Sequence, residues 1–155
     1  MKQKILILFF TFCISFVSCD DRDSLLPESY VYLELDLTYR DKALREQLGY
    51  KMYINQGADF IAGKEYVGYG GVLVVHTITD GLHAFDLACP NEVSKNIKVE
   101  ITDNTGLNAT CPKCGTIYEV GDPGSGVAIN ADKKLYLTTY HVTSRGNNKY
   151  IVSNY

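Results

Sequence analysis

Five cysteines are present in 155 residues, and two of them stand three positions apart in Cys111-Pro112-Lys113-Cys114-Gly115. That spacing lets both thiolates reach one ion from a single tight turn, and the glycine lets backbone amides turn towards sulfur. Upstream, Cys89-Pro90-Asn91-Glu92 repeats the Cys-Pro opening, with Glu92 where a second thiol would complete a zinc ribbon. Cys89, Cys111 and Cys114 are therefore candidate metal ligands, with Glu92, Asn91 or water as the fourth donor to zinc. A Cys111–Cys114 redox pair is the competing chemistry. A thioredoxin-type thiol wants a helix N-terminus, however, and Thr116-Ile117-Tyr118-Glu119-Val120 reads as a strand.

The other two cysteines belong to the N-terminus. Lys2 and Lys4 precede an apolar run, Ile5 to Val17, that falls short of the roughly 20 residues a spanning helix needs. Residues 1–18 are expected to be a signal peptide, taking Cys13 with them. Phe16-Val17-Ser18-Cys19 resembles the bacterial lipobox, with Phe16 departing from its usual leucine. That resemblance implies cleavage before Cys19 and lipidation of its thiol, a palmitate-bearing lipoprotein. Asp20-Asp21-Arg22-Asp23-Ser24 opens a charged tether over 19–29, ahead of one domain over 30–155. The expected location is the bacterial cell envelope, on the outer membrane rather than the inner, with an envelope protein as partner.

Composition narrows the rest. The chain carries 15 Lys+Arg against 18 Asp+Glu, with 46% hydrophobic residues. That excludes a coiled coil, a disordered tail and a polytopic membrane protein. It supplies no basic stripe, so nucleic acid is not an expected partner. No carboxylate pair at catalytic spacing stands out, and Gly68-Tyr69-Gly70-Gly71 lacks the helix that a phosphate loop requires.

The elements that must position the cysteines are strands. Tyr30 to Leu37 alternates, with Val31, Leu33, Leu35 and Leu37 on one face. Val72 to Thr79 is apolar on both faces and reads as a central strand. Asp80-Gly81 then predicts a type I′ hairpin into Leu82–Leu87, pairing Thr79 with Leu82, Ile78 with His83 and His76 with Phe85. That register puts His76 and His83 on one face, as structural histidines. His83 is also about 20 Å of extended strand from Cys89, and His141 follows the closing strand. Further strands are expected at 97–101, 116–120, 127–129, 135–139 and 150–152. Asp41 to Leu48 is the single helical candidate, one or two turns stopped by Gly49. The fold class is all-β, a small antiparallel sandwich or barrel.

From about Gly71 to Val152 the chain resembles a Rieske domain. Ala84-Phe85-Asp86-Leu87-Ala88-Cys89-Pro90-Asn91 is similar to the strand and first loop of that family. Cys111-Pro112-Lys113-Cys114-Gly115-Thr116-Ile117-Tyr118-Glu119 is similar to its second loop. Gly121–Gly126 and Leu135–Tyr140 match its third loop and closing strand, with Asn130-Ala131 in place of Gly-Pro-Ala. The resemblance implies a [2Fe–2S] cluster held by two thiolates and two imidazoles. Cys89 and Cys111 stand at the thiolate positions, but Asn91 and Cys114 replace both histidines. Three outcomes remain beside the redox pair: an empty site, with or without a disulfide such as Cys89–Cys111; zinc; or a variant [2Fe–2S] cluster. The leading expectation is a non-catalytic binding or scaffolding module, with electron transfer or metal binding as the alternative.

Overall fold

The computed structural model describes residues 25–55, 60–103 and 105–155. The expected signal peptide, Cys19 and residues 19–24 of the tether lie outside them. Ten strands are present among the described residues: β1 (Val31–Asp36), β2 (Tyr50–Tyr53), β3 (Tyr66–Val67), β4 (Val72–His76), β5 (Leu82–Asp86), β6 (Glu100–Ile101), β7 (Asn108–Thr110), β8 (Ile117–Glu119), β9 (Thr139–Gly146) and β10 (Lys149–Ser153). All pairings are antiparallel. The all-β antiparallel class expected from the sequence is the one observed. No described helix is long and apolar enough to cross a membrane.

Seven strands form one sheet in the order β2-β4-β5-β9-β10-β1-β3. The alternation in β1 does what period-two patterning demands: Val31, Leu33 and Leu35 are at most 2% exposed. Their partners include Val72 and Val74 of β4, Tyr53 of β2, Ala84 of β5 and Val152 of β10. Residues from both ends of the sheet thus share one interior, so the sheet curls into a nearly closed barrel. Each fully buried Leu or Val there contributes about 1.5–3 kcal/mol relative to exposure.

The other face of β4 and β5 is buried too, as expected of a central strand. Leu73, Val75, Phe85 and Leu87 pack against Ala109, Tyr118 and Val120, from or beside a three-stranded sheet of order β6-β7-β8. β1 begins, and β5 and β10 end, at one rim of the barrel. Tyr32 pairs with Ser153, and Val72 at the start of β4 pairs with both Tyr53 and Asp86.

Several local expectations are corrected. The β4–β5 register is His76↔Leu82, Val75↔His83 and Leu73↔Phe85, so the loop holds five residues rather than two. Gly81 has φ 78 but Asp80 has no positive φ, which excludes a type I′ turn. Instead Thr77 closes the loop: its N–H and hydroxyl both reach Gly81 O (2.8 and 3.0 Å), and its Oγ1 accepts from Asp80 N. The slip puts His76 and His83 on opposite faces. The type I′ signature occurs at Asn147-Asn148, φ 52 and 59, closing the β9–β10 hairpin at Gly146↔Lys149.

The helical candidate is a 3-10 turn, Lys42–Arg45, that buries Leu44. Leu48, ahead of the expected stop at Gly49, has a positive φ (63). Gly49 serves close approach instead, since a Cβ there would lie 1.8 Å from Ala43 O. The expected strands at 127–129 and 135–139 are reduced to bridges, Tyr118↔Ala128 and Val127↔Tyr136.

Candidate metal centre

β5 delivers the first cysteine. At its end, the buried Asp86 accepts hydrogen bonds from Tyr69 N (3.1 Å), Gly70 N (3.0 and 3.2 Å), Ala88 N (2.7 Å) and Tyr140 OH (2.6 Å). One carboxylate therefore ties the segment before β4 to the backbone beside Cys89. The approach is so close that a Cβ on Gly70 would meet Ala88 N at 2.4 Å. Beyond it the chain turns on Cys89, whose carbonyl accepts from Glu92 N and Val93 N (3.1 and 3.0 Å).

The β7–β8 hairpin delivers the other two. Cys111 N donates to Thr116 O and Gly115 N to Cys111 O, both at 2.9 Å. Gly115 is at φ 72, a conformation that suits glycine. Asn130 holds the turn from outside: its Oδ1 accepts from Ile117 N (2.7 Å) and its Nδ2 donates to Gly115 O (2.9 Å). Glu119 organises the neighbouring third loop by accepting from Asp122 N, Gly124 N, Ser125 N and Ser125 Oγ.

These two loops bring the three sulfurs of Cys89, Cys111 and Cys114 within 4.8 Å of one another. Cys89 Sγ and Cys114 Sγ are 3.7 Å apart. Cys89 and Cys111 are fully buried, Cys114 partly, and all three are free thiols. Burial pushes the Cys89 thiol up to about 11, against the pull of Tyr118 OH at 3.3 Å and the amides of Asn91 and Glu92. Burial would raise Cys114 too. There it is outweighed by the Thr116 hydroxyl (3.1 Å), the Thr116 amide and the Asn91 side chain, which lower that thiol to about 7. Burial and the bond to Cys89 raise the Tyr118 phenol, keeping it neutral.

A [2Fe–2S] centre of the Rieske kind is not matched by this donor set. His76 Nδ1 bonds Leu44 O and His83 Nδ1 bonds Gly124 O, both at 2.9 Å, and His141 pairs with Ser153 in the barrel wall. That pattern needs two imidazoles, and Asn91 and Cys114 stand where they would be expected. A single ion fits better: tetrahedral thiolates at 2.3 Å from zinc lie about 3.8 Å apart. Amides already directed at Cys89 and Cys114 would stabilise thiolate charge.

The proposed fourth donors are placed less simply. Asn91 is exposed and bonds Cys114. The carboxylate of Glu92 pairs with Lys113 Nζ at 2.5 Å, bridging the two loops across the mouth of the site. The reading of the sequence did not give roles to Asp86, Thr116, Asn130 or Lys113. Each stands in a stretch that resembles the Rieske loops, Asp86 in Ala84-Phe85-Asp86, Lys113 and Thr116 in the second loop and Asn130 at the Gly-Pro-Ala position, but none was marked there by its own chemistry.

No family model matches the chain, and no curated protein matches it. Among solved structures it is similar to one described as a complex of reduced oxygenase and oxidized ferredoxin in carbazole 1,9a-dioxygenase. The identity is 13% and the TM-score 0.47, covering 80% of this chain and 94% of that chain.

Proposed function

We propose that this chain is an envelope lipoprotein whose Rieske-like β-domain binds one thiophilic divalent ion, zinc, through Cys89, Cys111 and Cys114. The carrying observation is the grouping of three sulfurs within 4.8 Å, two of them 3.7 Å apart. Thiolate donors select zinc, Cu(I) or iron–sulfur clusters, and three converging sulfurs with a water as fourth donor suit one zinc ion. When bound, that ion would supply a crosslink between the two loops. Glu92 and Lys113 would then close the mouth, with Asn91 and Thr116 holding Cys114 as thiolate.

The function this supports is structural and recognitional: a stiffened loop tip offered to an envelope partner, without turnover. The lipoprotein part of the reading is supported by Lys2, Lys4, the Ile5–Val17 run and Cys19 in the sequence. The test is direct. The full chain, purified in detergent without chelators and under nitrogen, should carry one zinc, no acid-labile sulfide and no visible colour. Stoichiometric iron and sulfide with a visible chromophore would refute the zinc reading in favour of a variant cluster. Metal-free protein that takes up no added zinc would refute any metal role.

A further inference from the structure

We propose that the same three-thiol site is a peroxide-sensitive switch, in which Cys89 and Cys114 join as a disulfide and the ion is set free. This rests on the zinc reading for its second half, and on the envelope location for the persistence of the disulfide.

All three sulfurs lie within 4.8 Å of one another, and contact together with exposure favours the pair that contains Cys114. Cys89 Sγ and Cys114 Sγ are in contact at 3.7 Å and come from different loops. Forming a bond of about 2.05 Å needs less than 2 Å of approach. Cys114 is also the one sulfur of the three that is not fully buried, so a small oxidant arriving from solvent meets it first. Cys111 has 0% exposure. Its backbone is held by the Cys111 N to Thr116 O and Gly115 N to Cys111 O bonds, which a Cys89–Cys114 crosslink leaves intact.

The oxidant is hydrogen peroxide. The Cys114 thiolate attacks one peroxide oxygen, the O–O bond breaks, and hydroxide leaves, giving a sulfenic acid on Cys114. The Cys89 thiolate then attacks that sulfur, the S–S bond forms, the S–O bond breaks, and a second hydroxide leaves. Two protons from solvent convert both hydroxides to water, and the two electrons lost by sulfur are those gained by peroxide. The pair is removed from the donor set, leaving Cys111 as the single thiolate, too few to retain zinc. An oxidising envelope makes the disulfide state persistent until a dithiol reduces it.

The experiment uses the full chain in detergent, loaded with one equivalent of zinc and titrated with hydrogen peroxide. Released zinc is read with a colorimetric chelator, and crosslinks by mass mapping of unreduced peptides. The expected result is one zinc released per chain, a Cys89–Cys114 linkage, and recovery of zinc binding after dithiothreitol. Retention of zinc, linkage of Cys111 instead, or sulfinic acid on Cys114 without a linkage would overturn the proposal. The Cys111→Ser variant keeps the pair and should still form the Cys89–Cys114 bond. In metal-free chain the linkage is read alone, so a failure to bind zinc and a failure to switch are told apart.

Discussion

Replacing Asp86 by Asn tests how firmly the first loop is held, since the two side chains differ by little more than charge and two protons. Asp86 Oδ1 accepts from Gly70 N and Ala88 N, and Oδ2 from Tyr69 N, Gly70 N and Tyr140 OH. The least costly placement of the amide puts its nitrogen at the Oδ2 position, where the Tyr140 hydroxyl rotates to accept. Tyr69 N–H then loses its partner inside the protein, at about 1–3 kcal/mol. The bonds from Gly70 and Ala88 lose their ionic partner, costing roughly 0.5–1 kcal/mol each. The sum is a loss of about 2–5 kcal/mol, or roughly 8–20 °C in melting temperature for a chain of this length. Far-UV circular dichroism of full-length protein, with and without zinc, measures it. A melting temperature within about 3 °C of wild type would refute the assignment of Asp86 as the clasp of the first loop.

Further perturbations test neighbouring parts of the structure. Burial works to raise the carboxyl of Asp41, but bonds from Asp36 N, Lys51 and Tyr53 and the nearby Arg40 hold it below its ordinary value. A carboxylate depressed on folding stabilises fully above its unfolded pKa, about 3.9, and loses that stability as pH falls through the folded value. Wild-type stability should therefore drop below about pH 4, and Asp41→Asn, weaker at neutral pH, should show a flatter acid limb in urea titrations. In metal-free chain, iodoacetamide should modify Cys114 first, at a rate rising through pH 7, while Cys89 stays inert until far more alkaline pH; equal rates by mass mapping would contradict the described burial. Gly70→Ala drives a Cβ to 2.4 Å from Ala88 N and should weaken zinc binding at least tenfold in competition titrations, with destabilisation of about 1–3 kcal/mol. Cys111→Ser should lower zinc affinity by more than a hundredfold, because it removes one of three thiolates from the centre of the site.

What could be read from the sequence followed from how local each signal was. The alternation of Val31, Leu33 and Leu35 is a property of one strand, and the buried face it marks is the observed one. The register of β4 with β5 is not local. A Thr77 hydroxyl that bonds Gly81 O and Asp80 N decided it, against the stronger turn signature of Asp80-Gly81. Asn147-Asn148 makes the type I′ hairpin because asparagine tolerates positive φ, yet two asparagines without glycine are a weak signal. At the site, spacing alone grouped Cys111 with Cys114. The contact of Cys89 with Cys114 depends on how two loops from different sheets are stacked. The loops themselves are shaped by Asp86 and Asn130, whose side chains are occupied by hydrogen bonds to nearby backbone and to Tyr140.

The rim where β1 begins, and where β5 and β10 end, has a consequence for reach. Asn154 fastens the entering chain there, its Oδ1 accepting from Val31 N at 2.5 Å and its Nδ2 donating to Ser29 O at 2.8 Å. Asp86, at the same rim, stands three residues before Cys89. A domain held through its N-terminal segment is therefore hung with the cysteine tip towards its support and the Asn147-Asn148 hairpin pointing away. Leu26 is buried and Ser29 is bonded by Asn154, so the chain joins the folded body a few residues before β1. A partner that approaches from the side of the N-terminal segment therefore meets the cysteine loops first, and one that approaches from the far side meets the β9–β10 hairpin.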